Sequence, residues 1–269
     1  MNTPADLISS DLERDTKKSH SDEFAVEIND VTVAYRAYIR RPTSLKETII
    51  STLKGKKEPT FSSFDALSQV SMKIAKGSVF ALIGSNGCGK STLLKVIAGV
   101  LKPTKGCVKL SGDIASLIEL GAGFDPDLTA IENIYLNGSL HKKTRAEMQG
   151  RIQHILDFSE LHEFAFTPIK YYSSGMYARL AFSVAVDVNP KILLVDEILG
   201  VGDERFQEKC KKVFDELINK GKTIVLVTHN MDYIMEKANQ VALLKKGKLV
   251  YFGEPKRAAE IYRSSDYSA

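Results

Sequence analysis

The spacing of apolar positions changes several times along the chain, and each change marks an element. Val31, Val33 and Tyr35 alternate with other residues, as in a half-buried strand, and ordered structure is expected to begin near residues 24–28. Further strands are predicted around 67–72 and at 79–83, followed by a helix over 93–99. Thr144-Arg145-Ala146-Glu147 has the spacing of a capping box, and Met148, Ile152, Ile155 and Leu156 continue it as one helix face. Residues 192–195 and 223–227 are short, wholly apolar runs, the pattern of strands buried in a parallel sheet. Between them Phe206, Cys210, Val213 and Leu217 form a helical stripe, which Gly221 closes. Residues 241–244 and 248–252, parted by Lys245-Lys246-Gly247, predict a hairpin, and 256–263 a final helix. Strand and helix alternate, so the fold class is α/β with a layered core. No internal repeat is visible.

Two stretches break this pattern. Residues 1–23 are polar and rich in Ser, Asp, Lys and Thr, which predicts a flexible tail. Residues 36–60 read as a basic insertion. From Arg36 to Glu58 seven Lys or Arg face only Glu47 and Glu58. Within it Ser44-Leu45-Lys46-Glu47 forms a second capping box, Leu45, Ile49 and Leu53 make an apolar stripe, and Gly55 can end a short amphipathic helix.

Bulk properties exclude more than they assign. At 269 residues and 43% apolar content, the chain can bury a sizeable core. A net charge of +4 permits contact with an anionic surface without demanding it. No apolar run approaches the roughly 20 residues that span a bilayer, and the N-terminus lacks a signal-peptide core. A cytoplasmic protein is expected, whose membrane role, if any, depends on a partner. Cys88, Cys107 and Cys210 form no close pair, which suits a reducing compartment and argues against a zinc site.

The chemistry is concentrated in a few motifs. Gly84-Ser85-Asn86-Gly87-Cys88-Gly89-Lys90-Ser91-Thr92 lies between a predicted strand and a predicted helix, the setting of a nucleotide phosphate cradle. Its backbone N–H groups can turn inward because glycine tolerates the dihedrals this needs. Lys90 would reach the β- and γ-phosphates of ATP, and Ser91 would hold Mg²⁺. Asp196-Glu197 closes an apolar strand, where α/β sheets place their chemistry. Asp196 would bind Mg²⁺ and Glu197 would orient and polarise an attacking water. Alone, these two are a surface carboxylate pair; after Lys90 they complete a hydrolytic site.

With these residues in place, the chain from about Phe24 to Arg263 resembles the nucleotide-binding subunit of an ATP-binding cassette transporter. The resemblance implies a P-loop NTPase (RecA-like) core with an antiparallel β subdomain and an inserted helical subdomain. The cassette would run over 24–265 and its helical part over about 124–180, starting near Gly121-Ala122-Gly123-Phe124-Asp125-Pro126. Tyr172-Ser173-Ser174-Gly175-Met176 stands where the family has its signature, usually Leu-Ser-Gly-Gly-Gln. Carried over, Ser173 and the Gly175 backbone would meet the γ-phosphate held by a second copy, although Ser-Ser-Gly by itself is an ordinary helix cap. Gly200-Val201-Gly202-Asp203 resembles the dimer-contact loop, so Asp203 would face the partner. His229 matches the switch histidine at the γ-phosphate. Tyr35 matches the aromatic that stacks on adenine, with Tyr38 as the other candidate and core packing as the alternative for Tyr35. The glutamine loop has no Gln; Glu119 is the nearest polar candidate for that metal-side position, in a register open by one residue.

The Tyr-Ser-Ser-Gly-Met signature with Tyr177-Ala178-Arg179-Leu180-Ala181-Phe182, the run 119–124 and the basic insertion together resemble one branch. Its members are ATPase subunits that export bacterial surface polysaccharides: O-antigen, capsule or teichoic acid. The resemblance implies a homodimer, a separate transmembrane permease, a lipid-linked polysaccharide cargo, and peripheral attachment at the cytoplasmic face of the inner membrane. No nucleic acid is expected. Some members carry a C-terminal sugar-binding domain; ending at Ala269, this chain is not expected to have one. Rival readings are a soluble cassette ATPase, an importer subunit and a nucleotide kinase. The first lacks its usual long coiled coils or fused cassettes here, the second does not explain the signature variant, and the third explains neither the signature nor His229.

In the exporter reading, the apolar stripe of the insertion sits against lipid or permease and its cations meet phosphate groups. Replacing Arg40 and Arg41 with Ala should therefore reduce export more than ATP hydrolysis when both are measured on the same membranes. Equal loss of the two would place these arginines in the ATPase itself.

Overall fold

The structure is a computed structural model and describes residues 23–38, 61–118, 120–196 and 202–264. The tail, the predicted insertion helix with Arg40 and Arg41, Glu119 and Glu197 all lie outside the described residues, as does the side chain of Tyr38.

Two sheets make the framework. In the smaller, β1 (Phe24–Tyr38) lies between β2 (Phe61–Ala75) and β4 (Lys105–Leu110), antiparallel to both. Both long strands extend past the sequence expectation. Residues 36–38, read as the start of the insertion, continue β1 and pair with 61–63. Strands of 15 residues do not stay regular, and the β1–β2 register shifts near Ile28 and Val31. Asp30 and Gln69 take positive φ there, 50° and 53°. Side-chain hydroxyls pair the displaced amides: Asp30 N donates to Ser71 Oγ (2.9 Å) and Gln69 N to Thr32 Oγ1 (3.1 Å).

The larger sheet has the order β5-β6-β7-β3-β8-β9. Strands β5 (Ile114–Ser116), β6 (Ile192–Asp196), β7 (Thr223–Val227), β3 (Val79–Ile83) and β8 (Gln240–Lys245) run parallel; β9 (Lys248–Gly253) returns antiparallel as the predicted hairpin. Every residue of β3 and β7 is buried, as their unbroken apolar sequences require of strands covered on both faces. Register aligns the strand ends. Leu82 and Asp196 both pair with Val227, so the carboxyl ends of β3, β6 and β7 are level.

Helices cover this sheet: α1 (Lys90–Ile97), α6 (Glu204–Asn219), α7 (Met231–Lys237) and α8 (Pro255–Arg263). The α6 stripe is Phe206, Cys210, Phe214 and Leu217; Val213, expected in it, is only partly buried because Phe214 fills the gap. Burial pushes the Cys210 thiol up to about 12, so it packs as a small hydrophobe.

Between β5 and β6 lies a run of helices: α2 (Ala130–Leu140), α3 (Arg145–Gln149), α4 (Ile152–Ser159) and α5 (Ser174–Asp187). The Thr144–Glu147 capping box forms as the sequence predicts. An equivalent box, Thr129 with Glu132, starts α2, an element the periodicity did not suggest. The single helix face expected from Met148 to Leu156 is instead two helices. The chain breaks at Gly150-Arg151, where Arg151 crosses to α5: Nε lies 2.9 Å from Asp187 Oδ2 and Nη2 donates to Asp187 O. These helices share their own core, with Ile134, Met148, Ile155, Leu180 and Val184 buried together. Among the described residues no helix is long and apolar enough to cross a membrane.

Phe182 of α5 ties the helical run to the large sheet. It is fully buried against Phe158, Phe206 and Phe214, with ring centroids 5.8–6.0 Å apart. Phe182→Ala should cost about 3–5 kcal/mol, from lost burial and the cavity left behind. Urea unfolding followed by circular dichroism will measure it, with Phe182→Leu expected to retain much of the difference.

Candidate nucleotide site

The phosphate loop spans the space between the two sheets. It leaves β3 after Ile83 and turns into α1 at Gly89, whose carbonyl accepts the first helical bond from Leu93 N (2.9 Å). Gly89 has φ 109°, ψ 4°. A Cβ there would lie 2.6 Å from Ala66 O and 2.9 Å from the Leu67 side chain, so both conformation and space demand glycine. No acidic residue occupies the first turn of α1, so the helix keeps its positive end uncompensated. Lys90 is 8% exposed, and its Nζ donates to Gly84 O (2.7 Å) and Ser85 O (3.0 Å). Its ammonium is thus held over the loop by two neutral carbonyls, a partnership that an anion can displace or share. Cys88 is buried beneath the loop. Burial raises its thiol above the usual range, and the nearby Lys90 charge offsets this only in part, so the group packs as a thiol.

Above the loop lies a cleft of about 500 Å³. Asn86, Gly87, Gly89, Lys90, Ser91 and Thr92 form one side of it. Asp196, at the end of β6, and Val227 with His229, at the end of β7, close another, as the level strand ends require. Tyr35 also lines the cleft and is 37% exposed, so it is not a core aromatic. Its register partner across β1–β2 is Phe64, with ring centroids 5.8 Å apart and planes 33° from parallel. The cleft is therefore lined by aromatic surface from β1 and β2 and by the phosphate loop with its lysine.

The structure brings together most of the residues singled out from the sequence, from Tyr35 to His229. Gly84, Ser85 and Cys88 belong to the loop but do not line the cleft. Ser173 and Gly175 are elsewhere, at the start of α5, where Ser173 Oγ accepts from Met176 N (3.2 Å) as a helix cap. Asp203 likewise caps α6, accepting from Phe206 N (2.9 Å), and does not line the cleft. Sequence reasoning missed Phe64, Asp65 and Ala66 of β2 and the Lys246-Gly247 turn, all of which line it. Their approach depends on β1–β2 register and on the hairpin reaching the loop, and neither leaves a local signature.

Among the described residues no group of three or more His, Cys, Asp or Glu could hold a metal. Ser91 and Asp196 face the same cleft, a sparse oxygen set. That suits Mg²⁺, which keeps most of its water and takes further ligands from phosphate.

Comparison with known proteins shows the family. Residues 67–200 match the family described as ABC transporter. The chain is 43% identical over 249 residues to the O-antigen export system ATP-binding protein RfbB of Klebsiella pneumoniae, covering 90% of this chain and 99% of that protein. It is 42% identical over 230 residues to the teichoic acids export ATP-binding protein TagH of Staphylococcus saprophyticus, covering 86% and 84% of the two. A solved ATP-binding cassette, dimeric and in a post-hydrolysis state with ADP and Pi, superposes with a TM-score of 0.65 at 25% identity, covering 86% of this chain and 98% of that one. A strand-to-helix phosphate loop with aspartate and histidine at neighbouring strand ends, in a sequence more than 40% identical to these exporter subunits over most of its length, leaves one assignment: the chain belongs to the ABC transporter family, as an ATP-hydrolysing subunit of the polysaccharide-exporter branch.

Proposed function

We propose that two copies of this chain bind two ATP molecules between them and drive a separate permease that moves a lipid-linked surface polysaccharide outward across the inner membrane. One observation carries the dimeric part of this reading. The cleft holds the phosphate loop, Asp196, His229 and an aromatic lining, while Ser173 of the signature stands outside it. In this reading the signature of a second copy, not of the same chain, completes the site.

In this reading adenine packs on Tyr35 and the phosphates run over the amides of residues 87–91 toward Lys90. Lys90 exchanges its carbonyl partners for phosphate oxygens, trading neutral hydrogen bonds for charge-assisted ones. Ser91 and Asp196 hold Mg²⁺, which when bound neutralises charge on the phosphates. Glu197 takes a proton from the attacking water, and His229 donates a hydrogen bond to the γ-phosphate. Ser173 and the Gly175 amide of the partner face the same phosphate, and Asp203 lies at the dimer contact. ATP binding thus favours the closed pair, and loss of the γ-phosphate contacts after hydrolysis reopens it. Residues 24–265 act as one cassette, whose helical part, about 124–180 and continuing in packing to Asp187, meets the permease. The near full-length likeness to RfbB favours an O-antigen-type cargo over teichoic acid, with the subunit peripheral at the cytoplasmic face.

Glu197→Gln should keep ATP binding and slow turnover by about a hundredfold or more. Light scattering should then show an ATP-dependent dimer. Adding Ser173→Glu to that variant should return it to monomer while each monomer still binds ATP. A Glu197→Gln chain that hydrolyses normally would remove Glu197 from its role, and one that stays monomeric with ATP would remove the shared site. Purification from detergent-solubilised native membranes should bring a polytopic permease with it.

A further inference from the structure

We propose that the Lys246-Gly247 turn is a third nucleotide-contacting element: Gly247 locks β2 to the phosphate loop, and Lys246 presents a cation to the polyphosphate. The inference rests on the reading of this cleft as the ATP site.

A two-residue hairpin turn usually projects into solvent. Lys246 and Gly247 have φ of 48° and 78°, the left-handed pair that a tight hairpin needs. Yet Gly247 is buried. Its N–H donates to Cys88 O in the phosphate loop (2.9 Å), and its carbonyl accepts from Ser68 N in β2 (2.8 Å). A Cβ on Gly247 would lie 2.7 Å from Ala66 O, the same carbonyl that excludes a side chain from Gly89. Three backbones, those of β2, the phosphate loop and the turn, therefore meet around Ala66. The aromatic lining of the cleft comes from Tyr35 on β1 and its partner Phe64 on β2, and the anion-binding lining from the loop. The turn is hydrogen-bonded to β2 and to the loop, so it sets the distance between them.

Lys246 is exposed and lines the cleft at this junction. It shares that lining with Tyr35 and Lys90. Its left-handed backbone holds the side chain's root in place, and an ammonium there adds to the field that attracts a polyanion. Lys248, two residues on, is exposed but does not line the cleft.

The test is ATP titration of the full chain by calorimetry at low and high salt, with thermal melting alongside. Lys246→Asn removes the charge but keeps a residue that tolerates positive φ. It should raise the Kd for ATP about three- to tenfold and flatten its salt dependence, with an unchanged Tm. Lys248→Asn should match the wild type. Gly247→Ala should weaken ATP binding more than Lys246→Asn does. Wild-type affinity and salt dependence in Lys246→Asn would overturn the contact, and wild-type affinity in a folded Gly247→Ala would overturn the lock. If Gly247→Ala does not fold, Lys246→Asn decides. Lys90→Ala separates the two readings: it should lose ATP whatever the turn does, and if it retained ATP binding, the site assignment itself would fall.

Discussion

The close approach of Gly89 to Ala66 is the constraint on which the site depends. The phosphate loop must present its amides to one side while its other side rests against a strand of a different sheet. A 2.6 Å gap to where a Cβ would stand leaves no room for adjustment. The loop's conformation is thereby set by tertiary contact as much as by its own sequence, and glycine meets the φ near 109° without strain. Cys88 contributes from below, its thiol buried and its carbonyl taken by Gly247.

Register supplies the second constraint. Because Leu82 and Asp196 face the same Val227, a loop, a carboxylate and a histidine arrive at one edge from three separate parts of the chain. Parallel strands buried on both faces hold that register firmly, since a slip would move polar strand ends into the core. The chemistry is then placed by rigid elements, which suits a reaction catalysed mainly by positioning and electrostatics.

The helical run is organised differently. It has its own core and reaches the large sheet through Phe182 and its aromatic neighbours, and through Glu160, which pairs with Lys209 on α6 and Arg179 on α5. Lys209 holds the Glu160 carboxyl below the usual range. Ser173 stands at the head of α5, so any motion of this run moves the signature as a unit. No residue of this helical run lines the cleft, so within one chain the cleft and the head of α5 are separate features carried by separately packed parts of the fold.

By itself the sequence determined the local structure and the chemistry. Short apolar runs gave β3, β6 and β7 because buried parallel strands tolerate nothing else; the glycine spacing of residues 84–92 marked the phosphate loop; and Thr144 with Glu147 marked a helix start. The same local signal, Thr129 with Glu132, starts α2 but predicts it less clearly, because no regular apolar stripe follows. Tertiary structure alone decided the rest. Whether α3 and α4 were one helix turned on Arg151 reaching Asp187, 36 residues away. Tyr35 is a cleft residue rather than a core one because β1–β2 register sets it against Phe64 at an open edge. Lys246 lines the cleft because its hairpin, far along the chain, runs beside β3 and its turn bonds to the phosphate loop. Periodicity and capping are properties of neighbours in the chain, and so can be read from it; register, approach and burial belong to segments far apart in sequence, and only the packed fold brings them to one place.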